Sequence, residues 1–252
     1  MTIKRFSVPD YVRSVLICDP TDIWGNVVGI GLNELIACLT PAKRFDRRGE
    51  VIFVDNFEDG LGKWGTTTTG LLGAVAVSST EALFGGLSAK LTGGSDSSRF
   101  AEIYYRIPPP PLSNLGLEFA VRPDVNVEYI DCYIDYYDGV TLYSGAISYD
   151  TVNEKWTYKT TAGAWVDFFT GAKMTAAEKL FHHCKLVIDP VGHKYVRALV
   201  SGEEKDMSTY DLYTDPDVTA PRVSILILVY SLAGYNAVGY VDSVIVTQNE
   251  PA

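Results

Sequence analysis

The run from Val127 to Tyr137 alternates without a break. Glu128, Ile130, Cys132, Ile134 and Tyr136 fall on one side, and Tyr129, Asp131, Tyr133, Asp135 and Tyr137 on the other. Successive side chains of an extended strand point to opposite faces, so a period of two fits a β-strand and no helix. The same period returns where Lys194, Val196, Ala198 and Val200 oppose Tyr195, Arg197 and Leu199. Further strand-like runs lie at 51–57, 73–78, 87–92, 100–107, 115–122, 142–149, 155–159, 180–189, 222–231 and 238–247. Turn chemistry separates them: Gly85-Gly86, Gly93-Gly94, Asp138-Gly139 and Ser201-Gly202. Pro108 to Pro111 cannot lie in a central strand and is expected to cross between two sheets. Short strands and turns in this rhythm predict an all-β protein. Residues 49–252 are expected to form a two-sheet antiparallel jelly-roll sandwich.

Residues 1–48 differ, and are expected to be an irregular N-terminal arm used for assembly or anchoring. They carry seven Lys/Arg against five Asp/Glu, whereas residues 49–252 carry fourteen against twenty-six. An acidic body is the wrong sign for nucleic acid, which is excluded as a partner. The arm's Tyr11, Val15, Leu16, Ile17, Trp24, Leu35 and Leu39 are too few for a core of their own. Burying each contributes roughly 1.5–3 kcal/mol, so they are expected to cover a neighbouring copy. A closed homo-oligomer, trimer or dimer, is the natural symmetric result.

No apolar run reaches the roughly 18 residues of a membrane helix; the longest, Val223 to Val229, is strand-length. Membranes are therefore not an expected partner. Lys4, Arg5, Pro9 and Asp10 interrupt the N-terminus, so no ordinary secretion signal is expected there. Cys18, Cys38, Cys132 and Cys184 are far apart, with no paired spacing for zinc or a disulfide framework. Cys132 and Cys184 lie in strand-like runs and are expected to be buried as small apolar groups.

The stripe Tyr129, Tyr133 and Tyr137, with Asp131 and Asp135 between, has the chemistry of a sugar platform. Rings stack on pyranose faces while carboxylates bond hydroxyls, and Trp156 would extend it, as would Tyr143, Tyr158 and Trp165. The same rings would equally suit half of a sandwich core or a protein interface. His182 and His183 are adjacent on a strand and point to opposite faces, so they cannot share one ion. No nucleophile elbow, zincin, phosphate-loop or dinucleotide motif is present. The chain is expected not to be an enzyme.

Asp55-Asn56-Phe57-Glu58-Asp59-Gly60 with Trp64, the stretch Ala82–Leu91, and Tyr240-Val241-Asp242-Ser243-Val244 resemble the first, second and last strand regions of known jelly rolls. These are the carbohydrate-binding-module, laminin-G and concanavalin-like domains. The resemblance implies neighbouring first and last strands and a structural Ca²⁺ held by Glu58 and Asp242, although no cofactor is required for folding. The lead-in Arg44–Val51 looks like that of jelly-roll proteins on phage virions. It implies a structural capsid-decoration or surface component, made in the host cytoplasm and placed on the virion surface, with a capsid shell protein as partner. The alternatives are a glycan-binding module, extracellular, and a concanavalin-like polysaccharide-active enzyme.

Overall fold

All twelve expected runs are strands in the computed structural model, within two residues at either end. The structure describes residues 45–252 apart from 47, 97–98, 112, 172 and 177–178. The expectations for Tyr11, Val15, Leu16, Ile17, Trp24, Leu35 and Leu39 therefore lie outside the described residues. The sandwich unit runs from Asp46 to Ala252.

Sheet I has the strand order β13-β12-β11-β6-β16-β4-β3. Its members are β13 (Glu203–Asp206), β12 (Lys194–Val200), β11 (His182–Asp189), β6 (Leu115–Pro123), β16 (Val238–Gln248), β4 (Ser88–Thr92) and β3 (Ala74–Ser78). Strand β1 (Glu50–Asp55) also pairs with β16. Sheet II has the order β10-β9-β8-β7-β15-β5-β2. These are β10 (Trp165–Phe169), β9 (Lys155–Lys159), β8 (Thr141–Asp150), β7 (Val127–Tyr137), β15 (Arg222–Ser231), β5 (Phe100–Ile107) and β2 (Gly65–Thr68), with β14 (Tyr213–Pro216) beside β8. Every pairing is antiparallel. The proline run joins β5 of one sheet to β6 of the other, as expected from residues that cannot donate to a ladder.

The core follows the alternation. Leu117 and Phe119 of β6, Leu186 of β11 and Val244 and Val246 of β16 are buried with Ile130, Cys132 and Ile134 of β7 and Ile225, Ile227 and Val229 of β15. Each contributes roughly 1.5–3 kcal/mol by leaving water. Cys132 and Cys184 are free buried thiols, as their strand positions predict.

Strand β16 organises sheet I. One edge pairs with β6; the other is shared end to end by β4 (against Val238–Val241) and β1 (against Val244–Gln248). At the junction the ladder to β6 shifts register, and Ser243 takes a left-handed φ of 53°. The first and last strands do lie side by side.

The outer side of sheet I carries a buried ionic cluster. Lys185 Nζ lies 3.1 Å from Asp46, 2.6 Å from Glu250 and 3.8 Å from Glu118, and donates to the Arg48 carbonyl at 3.3 Å. Arg197 pairs with Glu250 and, at 3.5 Å, with Asp46. The Asp46 amide donates to Glu118 Oε1 at 2.9 Å. Burial pushes the Glu118 carboxyl up to about 8. Burial works against Asp46 as well, but bonds from Arg48 and the charge of Lys185 hold it down to about 2. Removing one partner of such a cluster leaves an uncompensated buried charge, so the lead-in at Asp46–Arg48 is fastened to the sheet.

Candidate functional site: a ring-walled cleft on sheet II

The inner face of β7 is the apolar set Ile130, Cys132 and Ile134, so the tyrosine stripe faces outward, away from the core. Register places its neighbours. Asp131 of β7 stands beside Ser148 of β8, which stands beside Thr157 of β9 and then Asp167 of β10. One step to one side is the row Tyr230, Tyr129, Asp150, Lys155. One step to the other are Tyr133, Ala146 and Trp165. Rows two residues apart on a strand are separated by roughly 6.5 Å. The middle row, with small side chains, becomes the floor of a trough running across the strands, and the ring-bearing rows become its walls.

The result is a cleft of about 520 Å³. Its rings meet edge to face: Tyr129 with Tyr230 at 6.2 Å, and Tyr133 with Trp165 at 6.2 Å. Tyr129 is 37% exposed and Trp165 39%, while Asp131 on the floor is only 5% exposed. Arg99 pairs with Glu128 at 2.7 Å, and Lys155 with Asp167 at 2.9 Å. Asp150 accepts the amides of Val152 and Asn153 at 3.0 and 2.9 Å and the Asn153 side-chain amide at 2.7 Å, which fixes the turn after β8. The Tyr133 hydroxyl donates to Asp131 Oδ2 at 3.4 Å, whereas Asp131 Oδ1 has no partner. Burial pushes the Asp131 carboxyl up to about 7, against the hydroxyls of Ser148 and Tyr133 and the more distant charge of Lys159. A buried, incompletely bonded carboxyl on a cleft floor is a polar group waiting for a partner.

Of the expected platform residues, Tyr129, Asp131 and Tyr133 line the cleft, and so does Trp165, one of the expected extensions. Asp135 and Tyr137 lie further along the same face, Asp135 beside Ser144 and Ser224, and burial pushes its carboxyl up to about 6. Trp156 does not join them. It is 1% exposed and packs in the core 5.0 Å from Tyr149, because even-numbered residues of β9 turn inward while Lys155, Thr157 and Lys159 turn outward. Tyr158 turns the same way and stacks on Tyr210 at 4.2 Å, and Tyr143 stacks on His193 at 3.9 Å. Arg99, Glu128, Ser148, Asp150, Lys155, Thr157, Asp167 and Tyr230 complete the cleft without having been singled out in the sequence. Only strand register brings these six segments together. A second depression, about 590 Å³ on sheet I beside Lys194, Arg197 and Glu204, exposes no ring, since its Tyr195 is fully buried.

Glu58 and Asp242 both reach the loop Glu81–Leu87, each at its own amides. Glu58 Oε1 accepts the amides of Gly86 and Leu87 at 2.7 and 2.8 Å, and Asp242 Oδ2 those of Leu83 and Phe84 at 2.7 and 3.1 Å. Asp242 Oδ1 accepts the Ser243 amide at 2.6 Å. In this arrangement the two carboxylates hold the loop through N–H donors. Among the described residues no group of three or more His, Cys, Asp or Glu side chains is placed to hold a metal ion.

No family model matches the chain, and no curated protein matches it. Solved structures do. An endo-β-1,4-glucuronan lyase from the fungus Trichoderma reesei is 14% identical over 79% of this chain and 95% of its own, with a TM-score of 0.57. A conserved carbohydrate esterase from the Shiga toxin-encoding bacteriophage phi24B is 12% identical over 80% of this chain and all (100%) of its own, with a TM-score of 0.51. A sialidase is 14% identical over 80% of this chain, which spans only 19% of that protein, with a TM-score of 0.49. At these identities the likeness is one of fold: the chain is an antiparallel two-sheet jelly roll.

Proposed function

We propose that the protein binds glycan chains in the cleft on sheet II and does so as a binding protein rather than a catalyst. The observation that carries this reading is the cleft itself. Rings stand at its walls, small hydroxyl residues and a carboxyl with an unpartnered oxygen form its floor, and its volume suits a short run of sugar rings. Sugars present apolar C–H faces to rings and hydroxyls to polar groups, and the cleft offers both in alternating rows. Affinity electrophoresis and calorimetry against a polysaccharide panel test it. Trp165→Ala and Tyr133→Ala should each weaken binding by about tenfold or more, with no reducing ends or unsaturated products released. Unchanged affinity in both variants would remove the cleft from the reading.

A second role concerns the arm. The lead-in is fastened to sheet I by the Lys185 cluster, so a load on residues 1–48 would pass into the sandwich through buried ion pairs rather than a slack linker. On this reading the arm anchors copies of the chain in a larger assembly, a phage virion surface being the setting that the lead-in resembles, and each sandwich presents a cleft on its other sheet.

A further inference from the structure

We propose that the cleft selects uncharged glycans over acidic ones, because every cation that lines it is already engaged. This inference rests on the glycan reading of the same cleft. Arg99 is held by Glu128 and Lys155 by Asp167, each within 3 Å. Lys159, just beyond, has its ammonium 4.1 Å above the Tyr213 ring and 5.7 Å from that of Tyr133. The floor is instead lined by Asp131, whose Oδ1 is buried without a partner, and by Ser148 and Thr157. A sugar hydroxyl can donate to Asp131 and to the hydroxyl oxygens of Ser148 and Thr157, whose own hydrogens go to Asp131 and to the Ser148 carbonyl. A uronate or sulfate would face Asp131 and Asp150 with no spare cation among the lining residues, and recruiting Lys155 or Arg99 would strand Asp167 or Glu128. Like charges brought together at short range in a partly desolvated site are costly. Burial, which pushes Asp131 toward neutrality, does not reverse this. A neutral carboxyl supplies a donor, whereas a polyanion needs a counter-charge.

The experiment compares matched chains on the full-length protein. Neutral glucan, mannan, galactan and xylan are measured beside polyglucuronate, polymannuronate, polygalacturonate and its methyl ester, and glucuronoxylan. Whichever backbone binds should bind at least about tenfold more tightly in its neutral form, and methyl esterification should restore affinity to a polygalacturonate. Asp167→Asn, at a half-exposed position where folding is little affected, frees Lys155 and should raise the ratio of acidic to neutral affinity severalfold. Equal or tighter binding of the acidic member would overturn the selectivity while leaving the cleft a glycan site. Binding of no member of the panel would overturn the glycan reading, and the selectivity with it.

Discussion

Among the described residues, Asp131, Asp135, Glu118 and Asp242 are buried carboxyl groups that hold their protons unusually well. Burial pushes Asp131 to about 7, Asp135 to about 6, Glu118 to about 8 and Asp242 to about 6. In the unfolded chain each titrates near pH 4. Between that value and the raised one the folded state binds more protons, so stability falls as pH rises through the window. Asp46, held at about 2, acts oppositely, its contribution being lost only in stronger acid. The urea midpoint is therefore expected to be higher at pH 5 than at pH 8.5. Asp131→Asn should flatten that decline by up to about 3 kcal/mol; an unchanged slope in the variant would mean that Asp131 ionises freely in the fold. The stripe containing Asp131 was legible because alternation fixes which side chains share a face. Its outward direction could also be argued from composition, since unpaired carboxylates do not line a core while Ile130, Cys132 and Ile134 do. The inward turn of Trp156 was legible in the alternation of Lys155, Thr157 and Lys159 with Trp156 and Tyr158, and grouping its ring with the outward tyrosines passed over that signal.

At the scale of elements, β2, β10, β13 and β14 went unpredicted. β2 reads Gly-Thr-Thr-Thr and β13 Glu-Glu-Lys-Asp, and all four lie at or beside a sheet edge with exposed residues. Short strands that bury little of either face need no sustained apolar alternation, so the periodicity that found the other twelve has little to report, even in β10, where only Phe168 and Phe169 pack on the core. One of the missed strands, β10, carries a wall of the cleft, which is why Asp167 was not joined to Asp131 beforehand, although its Trp165 was expected to extend the platform. The loop Glu81–Leu87 supplies a prediction of its own. Asp242→Ala leaves the amides of Leu83 and Phe84 without their acceptor and should cost about 2–4 kcal/mol. Because those acceptors already face N–H donors, millimolar Ca²⁺ or a chelator is expected to leave the melting temperature unmoved. A calcium-dependent rise that disappears in Glu58→Gln would instead place an ion at the loop.

For the whole molecule, the two sheets divide the labour. Sheet II carries the ring-walled cleft on its outer side, and sheet I carries the ionic cluster that grips the lead-in. Deleting residues 1–44 should leave a folded sandwich of unchanged glycan affinity that no longer assembles, read out by light scattering of the two proteins. A truncated chain of the same oligomeric mass as the full one would sink the anchoring role. The topology carries a further consequence for how such a chain is made. Strand β16, against which β1, β4 and β6 all dock, is the last of the described strands to be synthesised. At the usual pace of translation, β1 waits on the order of 10–40 s for the strand that will neighbour it. Sheet I therefore closes only after its final residues leave the ribosome, and until then its nascent strands expose apolar faces that a chaperone would be expected to shield.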